Sequence, residues 1–506
     1  MPQGPIEKIV ILGGGTAGWM AAAAIAKAWQ QPGRQIVLIE SDEIGIVGVG
    51  EATVPSIHLF NSLVGIDTAD VMRATGATFK LGIEFDGWGG VGRRYMHPFS
   101  GFGANPQDRL FPPLWLKYAG LLSRRGADER LDLYNLNSVA AYAGRFDLAP
   151  GEAGAMTYAF HFDAALYARY LRGHAERRGV VRREGKVAAV DQDADTGFIR
   201  GLTLDSGEVV AGDFFIDCSG FRGLLTGETL KTGYDDWSHW LPCDRAIAVA
   251  SANTGPPPPY TKAIADQAGW RWRIPLQHRT GNGYVYASAY MDDDAAEARL
   301  LDRLEGAALS TPRRLRFVTG RRHQAWNRNC LALGLAAGFL EPLESTSIHL
   351  IQTSILRLIS LFPDKGFEPA EINEFNRQTR DEYDDIRDFL ITHYKLTARG
   401  DTAFWRYCRD MAVPDRVAEN LDLFAARGRL MARPEHLFSP HSWLAVLIGQ
   451  GLMPRGADPL LEGLPEAQLA ERMNRTRQIL ERAAAAMPRH EAFIGAFCKT
   501  ATGQDA

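Results

Sequence analysis

The sequence predicts an α/β fold in which a Rossmann-like domain carries an inserted sheet module and a helical C-terminal cap. The N-terminal segment KIVILGGGTAGWMAAAAIAKAWQQPGRQIVLIES reads as a strand, a glycine turn, an alanine-rich helix and a second strand, which is a βαβ unit. A later segment, VVAGDFFIDCSGFRGLL, reads as another strand followed by a glycine turn. From Ser347 onward, apolar residues at helical spacing, as in IHLIQTSILRLISLF, predict a mostly helical region.

These pieces are separated along the chain, so we expect the Rossmann-like domain to be discontinuous. Its three predicted segments are residues 1–60, 165–230 and 320–365. Residues 61–164 and 231–319 are expected to form the inserted module, which contains its own sheet and binds the substrate. Residues 366–506 are expected to form the helical cap. PPPPY at residues 256–260 is expected to be a stiff connecting loop.

The composition is that of an ordinary globular protein. The chain has 506 residues, of which 46% are hydrophobic and 23% charged, and its formal net charge of −4 does not favour a nucleic-acid partner. The five cysteines are scattered without a zinc-binding spacing, so no metal site is expected. We see no secretory leader and no apolar run long enough for a membrane span. We therefore expect a cytoplasmic protein without a membrane partner.

The first glycine turn predicts a dinucleotide site. Gly13, Gly15 and Gly18 occupy a GxGxxG frame between strand and helix. The first glycine permits the tight turn, the second lets the backbone approach a pyrophosphate, and the third lets the helix pack on the strand. Glu40 ends the second strand, where a carboxylate binds ribose hydroxyls. A purely structural glycine turn is the alternative. The predicted site residues are Gly13, Gly15, Thr16, Ala17, Gly18 and Glu40.

A second glycine-rich stretch, GIVGVGEATVPSI at residues 45–57, predicts another close approach to the dinucleotide. Its candidate residues are Gly50, Glu51 and Ala52, and a flexible surface loop is the alternative. The strand that ends at Asp217 is followed by a turn that predicts a further contact with the dinucleotide.

The glycine turns and the carboxylate fit either NAD or FAD as the dinucleotide. No second glycine fingerprint for a nicotinamide is visible, so a bound flavin would receive its electrons from another protein.

Two further stretches carry unusual residues. GWRWRIP at residues 269–275 places Trp270 and Trp272 on one face of an extended segment. Ordinary core packing would explain this, because alternating aromatics suit a buried strand face. Lys80 lies in a mostly apolar context, ATFKLGIEF. A desolvated lysine is a neutral nucleophile or a positioned hydrogen-bond donor. The alternative is a surface lysine on an edge strand.

Taken together, the motifs resemble the flavin-dependent halogenases of the tryptophan halogenase family. The stretches that carry the resemblance are GGGTAGWM at 13–20, TFKLGIEFDGW around Lys80, WRWRIP at 270–275 and GLAAGFLEPLESTSI at 334–348. WxWxIP is that family's signature among flavoprotein monooxygenase-like folds, and the similarity continues to GLMP at 451–454. The resemblance implies that the dinucleotide is FAD, and it adds Val187 and Leu335 to the cofactor-binding residues.

The family's chemistry, as the resemblance implies it, uses FADH2, O2 and a halide, bromide or chloride. A separate flavin reductase supplies the FADH2. The halide is oxidised to hypohalous acid, which passes to Lys80, and an electron-rich aromatic substrate then attacks the halogen. Trp270, Trp272, Ile274 and Pro275 would separate the flavin from the substrate, which the flavin would otherwise hydroxylate. Homodimers are common in the family.

The EPLEST segment implies two more roles. Glu344, just before Ser-Thr, matches the family's catalytic glutamate, which accepts the ring proton; Glu341 is the competing acid. Thr346 and Ser347 match the residues whose backbone holds the halide at a helix start. The better-known members have glycine where Ser347 stands. This departure predicts an altered halide preference, toward the more easily oxidised bromide.

The substrate region also resembles the family, with one departure. His97, Pro98 and Phe99 match the segment that sandwiches the indole ring. Phe438 falls near an expected tryptophan. Members that act on free tryptophan carry tyrosines and a glutamate in a lid before the GLMP segment, and the tyrosines are missing from RGRLMARPEHLFSPHSWLAVLIGQGLMP. We therefore expect a more open site and an indolic substrate other than free tryptophan.

Two other functions stay open from the sequence. A flavin-dependent aromatic hydroxylase would insert oxygen directly, but it would not need Trp270, Trp272 and Lys80. A non-catalytic FAD-binding protein would not need Lys80 and Glu344.

Overall fold

The computed structural model of the chain describes residues 4–30, 32–43, 51–149, 156–431 and 436–500. The candidate residue Gly50 lies outside the described residues. The chain forms two compact units, each assembled from three segments. The segments of the first unit are Met1–Ala77, Phe162–Ser238 and Phe317–Asp384, and those of the second are Thr78–His161, His239–Arg316 and Asp385–Ala506. The domain boundaries inferred from the sequence stay a prediction.

Strands occur in five of the six segments, and the described part of Asp385–Ala506 has none. In chain order they are β1 (Lys8–Leu12), β2 (Gln35–Glu40), β3 (Glu51–Ala52), β4 (Thr78–Lys80), β5 (Gly82–Asp86), β6 (Arg94–Pro98), β7 (Ala159–Phe162), β8 (Val181–Glu184), β9 (Val187–Gln192), β10 (Ile199–Leu204), β11 (Val209–Ala211), β12 (Phe214–Asp217), β13 (Tyr234–Asp236), β14 (Arg245–Ser251), β15 (Thr261–Asp266), β16 (Gly269–Pro275), β17 (Thr280–Tyr286), β18 (Arg313–Arg316), β19 (Gly320–Arg322), β20 (Trp326–Asn327), β21 (Cys330–Ala332) and β22 (Gly338–Phe339).

Helices are concentrated toward the C-terminus, as the sequence predicts. In chain order they are α1 (Thr16–Ala28), α2 (Ile57–Val64), α3 (Thr68–Thr75), α4 (Phe111–Ser123), α5 (Leu136–Tyr142), α6 (Ala164–Glu176), α7 (Asp293–Asp302), α8 (Ser347–Ser360), α9 (Pro369–Lys395), α10 (Ala403–Asp410), α11 (Asp415–Arg427), α12 (Pro440–Gly449), α13 (Glu466–Ala486) and α14 (His490–Thr500). Within the described ranges, none of them combines the length and the apolar character of a membrane-spanning helix.

The first unit is built on a six-stranded sheet in the order β20-β21-β12-β1-β2-β8. Its strands are parallel from β21 to β8, and β1 lies between β2 and β12. The residues of β1 after Lys8 are all buried, as expected for a parallel strand covered on both faces. Parallel strands need a crossover, and α1 supplies it between β1 and β2. This arrangement confirms the predicted α/β fold.

The second unit contains a seven-stranded sheet in the order β18-β14-β17-β16-β15-β5-β6. All neighbours in it are antiparallel except β15 and β5. The WRWRIP segment forms β16 and lies inside this sheet between β15 and β17. The short strand β4, which ends at Lys80, pairs antiparallel with β7.

Candidate active site

The glycine turn between β1 and α1 is closely packed at two of its glycines. Gly13 has a φ of +109°, and a Cβ there would lie 2.2 Å from the Cys218 carbonyl oxygen. A Cβ at Gly18 would lie 1.8 Å from the Gly13 oxygen. Gly13 therefore needs glycine for its left-handed φ and its tight contact, and Gly18 needs it because the turn passes so close to its Cα.

Gly15 differs from its neighbours, because a Cβ there would meet no atom within 4 Å. It precedes α1, whose start has no side-chain cap and no acidic residue in its first turn. The first N–H groups of a helix need acceptors, and the helix dipole favours an anion there. The open space at Gly15 therefore fits a phosphate group, and the Rossmann-like turn fits the pyrophosphate of FAD.

Glu40 is held against this turn. A Cβ at Gly14 would overlap the Glu40 carboxylate, at 1.4 Å from Oε2. Arg182 Nε donates to Glu40 Oε1 at 2.5 Å, and Trp19 Nε1 donates to Oε2 at 3.3 Å. Arg182 lies on β8, next to β2 in the sheet. The sequence does not reveal this arginine, because the partners are 142 residues apart.

The other predicted cofactor residues lie in separate places of the first unit. Burial raises the pKa of Glu51, next to Ala52 on β3, to about 7. Leu335 lies in the 3₁₀ turn Gly334–Ala336, and a Cβ at Gly334 would lie 3.0 Å from the Ala17 Cβ, so this turn adjoins the start of α1. Val187 instead begins β9 and packs against an apolar cluster that includes Val10.

Gly13 and Gly15 give a matched test of backbone packing and of phosphate binding. We expect Gly13→Ala to destabilise the protein by roughly 3 kcal/mol, because the new methyl group meets backbone and the φ is left-handed. Gly15→Ala should fold normally but bind FAD at least about tenfold more weakly, because the methyl group takes the space for the phosphate. Thermal unfolding of the apoprotein and a fluorescence titration with FAD measure the two effects. Unchanged FAD binding by Gly15→Ala would refute the phosphate assignment.

The EPLEST segment forms a buried turn ahead of α8. Glu344 ends the 3₁₀ turn Pro342–Glu344 and is 1% exposed. Ser345 follows with a φ of +60°, and Thr346 precedes the first residue of α8, Ser347. The Thr346 hydroxyl is buried and has no hydrogen-bond partner, and the first turn of α8 has no acidic residue. A helix start with an unsatisfied buried hydroxyl is chemically suited to an anion.

Lys80 is fully buried, with 0% exposure, so it is not the surface lysine of the alternative interpretation. It ends β4, where it pairs with Ala159 of β7. Its Nζ lies 5.0 Å from the centre of the Phe99 ring. The structure thus brings together two of the predicted residues, and it places an amine beside an aromatic face within the second unit.

The indoles of Trp270 and Trp272 lie on the same face of β16 and are 1% and 6% exposed. Arg271, which lies between them, is on the other face and donates to Asp266 Oδ2 at 2.6 Å. Trp270 also packs against Trp88, with ring centres 6.3 Å apart, so it contributes to core packing.

The sequence did not single out Gly283 as a partner of this strand. Trp272 pairs with Gly283 of β17, and a Cβ there would lie 2.0 Å from the indole ring. The indole therefore covers the glycine, and its own Nε1 is buried without a hydrogen-bond partner. Glycine inside a strand, as in GNGYVY, is the signal that marks such a close approach. Ile274 and Pro275 continue the strand and are also buried.

Two of the predicted substrate residues, His97 and Phe438, lie in one aromatic cluster of the second unit. His97 and Pro98 end β6, and His97 is 3% exposed. The His97 ring lies 6.2 Å from Phe438 and 5.7 Å from Phe389. Phe389 and Phe438 stack with ring centres 3.8 Å apart. Phe389 has no sequence signal of its own, since it occupies an ordinary apolar position of α9.

The βαβ unit with its open glycine turn defines the class as proteins with a dinucleotide-binding, Rossmann-like domain. Comparison with known proteins specifies the family. The chain belongs to the tryptophan halogenase family, whose model matches residues 8–466. It is therefore a flavin-dependent halogenase, and the resemblance seen in the sequence is confirmed. FAD, O2 and a halide follow from this membership.

Solved structures and relatives of known sequence agree with this family assignment. Xcc4156, a flavin-dependent halogenase from Xanthomonas campestris, is 48% identical and superposes with a TM-score of 0.93 over 98% of this chain and 99% of its own. BrvH, a flavin-dependent halogenase from Brevundimonas sp. BAL3, is 44% identical with a TM-score of 0.91, covering 97% and 99%. Tryptophan 6-halogenase ThaL of Streptomyces albogriseolus is 35% identical over 91% of this chain and 92% of its own.

Proposed function

We propose that this halogenase brominates or chlorinates an electron-rich indolic substrate other than free tryptophan, with Lys80 presenting the halogen. The observation that carries the proposal is the full burial of Lys80 beside the Phe99 ring. A buried, positioned amine is suited to react with or hold an electrophile, whereas a surface lysine is solvated and mobile.

When bound, FADH2 together with O2 supplies the two-electron oxidation of a halide ion to hypohalous acid. We assign the FAD to the glycine turn with Gly13, Gly15 and Gly18, and the halide to the start of α8 at Thr346 and Ser347. A separate reductase provides the FADH2. The unsatisfied Thr346 hydroxyl and the uncapped helix start support the halide assignment.

Lys80 then acts on hypohalous acid in one of two ways. Its Nζ donates a hydrogen bond to the oxygen, or it forms an N–halogen bond with release of water. In both cases the ring carbon of the substrate forms a bond to the halogen. In the first case the Lys80 ammonium gives a proton to the departing hydroxide, which leaves as water. In the second case the ammonium forms the N–halogen bond, gives one proton to the released water and keeps the others on nitrogen, so the neutral Lys80 amine leaves when the ring attacks. The ring carbon loses its proton to the Glu344 carboxylate, whose burial strengthens its stabilisation of the cationic ring.

Trp270 and Trp272 are proposed to keep the flavin from hydroxylating the substrate. Their rigid, buried indoles on one strand face support this role. His97, Phe99 and Phe438 are proposed to bind the substrate ring, because aromatic faces stack on a flat indole. The relative ThaL is named for tryptophan. Between residues 424 and 454 this chain contains no tyrosine to grip the amine and carboxylate of that amino acid.

A halogenation assay with mass spectrometry tests the proposal. The protein is mixed with FAD, a flavin reductase, NADH and O2, and indole or tryptophan is offered with bromide or chloride. Brominated indole with unchanged tryptophan is the expected result. Halogenated tryptophan would overturn the substrate assignment, and a hydroxylated product without halogen would favour the aromatic hydroxylase.

Halide preference gives a separate prediction. At equal bromide and chloride concentrations we expect mainly brominated product, because the side chain of Ser347 reshapes the halide site. Ser347→Gly should raise the share of chlorinated product by at least about threefold, since it restores the family's glycine. The product ratio from isotope patterns measures this. A clear chloride preference of the unaltered protein would contradict the role given to Ser347.

A further inference from the structure

Lys80 stands at the end of a three-residue strand, and its flanking backbone is held by groups outside that strand. In the part of the chain that the structure describes, β4 pairs only with β7. The N–H groups of Phe79 and Leu81 are therefore satisfied elsewhere. Phe79 N donates to His490 Nε2 at 3.2 Å, and Leu81 N donates to the Pro259 carbonyl at 2.8 Å. Both neighbours of Lys80 are thus anchored.

His490 connects this strand to the PPPPY loop. It is the first residue of α14 and is 1% exposed. Its Nδ1 lies 2.8 Å from the Pro257 carbonyl, which only accepts, so Nδ1 carries the proton. Nε2 is then the acceptor for Phe79 N. This assignment requires a neutral ring, and burial lowers the pKa of His490 to about 4. The His490 ring is therefore neutral at physiological pH.

A second set of hydrogen bonds ties Thr78 to the end of β16. The Thr78 hydroxyl donates to the Pro275 carbonyl at 2.7 Å, which links β4 to the WRWRIP strand. Because its proton is used there, the Thr78 oxygen accepts from His161 Nδ1, 2.9 Å away. His161 Nε2 then accepts from the Thr261 hydroxyl at 2.9 Å. Burial and the nearby Lys80 lower the pKa of His161 well below its ordinary value, which agrees with a neutral ring.

We propose that Thr78 and His490 are positioning residues that fix Lys80 by anchoring β4 to the WRWRIP strand and to the PPPPY loop, and that His161 orients the Thr78 hydroxyl for this contact. The proposal rests on the proposed role of Lys80. A lysine side chain has a flexible four-carbon stem, so its Nζ is only as well placed as the backbone that carries it. Small displacements of a reacting group have large effects on rate. Each histidine acts through another residue and touches no reacting atom.

Two pairs of variants separate a loss of Lys80 positioning from a general loss of protein stability. Thr78→Val removes the hydroxyl at nearly constant size, and Thr78→Ser restores it. His490→Leu removes both ring nitrogens, and His490→Gln restores an acceptor for Phe79 N. Thr397→Val is the matched control, because the Thr397 hydroxyl is equally buried in the second unit and donates to the Trp88 carbonyl at 2.7 Å. Thermal unfolding of each variant measures its stability.

The first measurement follows the fate of the oxidised halogen with bromide and indole. We expect Thr78→Val and His490→Leu to lower brominated indole per flavin oxidised by at least about tenfold. Hypobromous acid captured by added monochlorodimedone should rise correspondingly. Thr78→Ser and His490→Gln should recover most of the yield, and Thr397→Val should keep it. Equal losses in Thr397→Val, or no loss in Thr78→Val and His490→Leu, would overturn the proposal.

The second measurement does not depend on halogenation. Cyanate labelling of the protein without FAD, followed by peptide mass spectrometry, reports how accessible and mobile Lys80 is. We expect labelling of Lys80 to rise several-fold in Thr78→Val and His490→Leu, while Lys262 in β15 stays unchanged. If the unaltered protein halogenates nothing but this rise occurs, the positioning holds and the proposed function fails. If the rise is absent, the positioning fails, whatever the protein halogenates.

Discussion

Replacing Lys80 by alanine is expected to lower the rate of halogenated product formation by at least about a hundredfold, while flavin oxidation continues. The physical reason is that the halide is oxidised without Lys80, but the oxidised halogen then has no buried amine to receive it beside the substrate ring. Product formation by mass spectrometry and NADH consumption measure the two processes in one reaction. Undiminished halogenation would refute the role of Lys80.

A companion variant guards against a folding defect. Lys80 is fully buried, so alanine leaves a cavity, whereas Lys80→Met keeps most of the side-chain volume and removes only the amine. Both variants should lose halogenation, and Lys80→Met should retain FAD binding and a cooperative unfolding transition. Activity in Lys80→Met but not in Lys80→Ala would show that the side chain matters for packing rather than for chemistry.

The sequence predicted the parts of the fold that depend on local patterns. The βαβ unit was visible because strand, glycine turn and helix follow one another within the first segment, and Gly13 and Gly18 occupy the positions that close packing requires. The alternation in WRWRIP correctly placed Trp270 and Trp272 on one face of a strand.

Contacts between distant residues could not be predicted in this way. His490 reaches Phe79 across 411 residues, and Thr78 reaches Pro275 across 197. A single histidine or threonine carries no periodicity, and its partner is fixed only when the strands assemble. Phe389 is hidden for another reason: a phenylalanine on a long amphipathic helix looks like ordinary core packing, and only the fold brings it to His97.

The tryptophan pair shows that two interpretations of one motif can both hold. Trp270 packs against Trp88 in an aromatic core, as the packing interpretation requires. Trp272 lies over Gly283 with an unsatisfied buried N–H, which packing alone does not explain. The packing of Trp270 against Trp88 holds the strand rigid and so supports Trp272. Core packing and a separating role of the tryptophan pair are therefore compatible.

Replacing Glu344 by glutamine is expected to slow product formation by at least about a hundredfold without impairing FAD binding. Glutamine has nearly the same shape, so the buried turn Pro342–Glu344 should persist, but its amide neither accepts the ring proton nor offsets the positive charge of the ring intermediate. Formation of hypohalous acid should continue and be captured by monochlorodimedone. The pre-steady-state rate of product formation at saturating substrate isolates the step concerned.

Glu341 provides the control for this assignment. It lies three residues earlier, is also fully buried at 0% exposure, and is the only other acid in the EPLEST segment. We expect Glu341→Gln to lower stability, because a buried carboxylate is replaced in a packed site, but to leave the rate of the chemical step within about threefold. If the two variants exchanged these effects, the proton acceptor would be Glu341. If neither changed the rate, the proton would leave the ring through a group outside this turn.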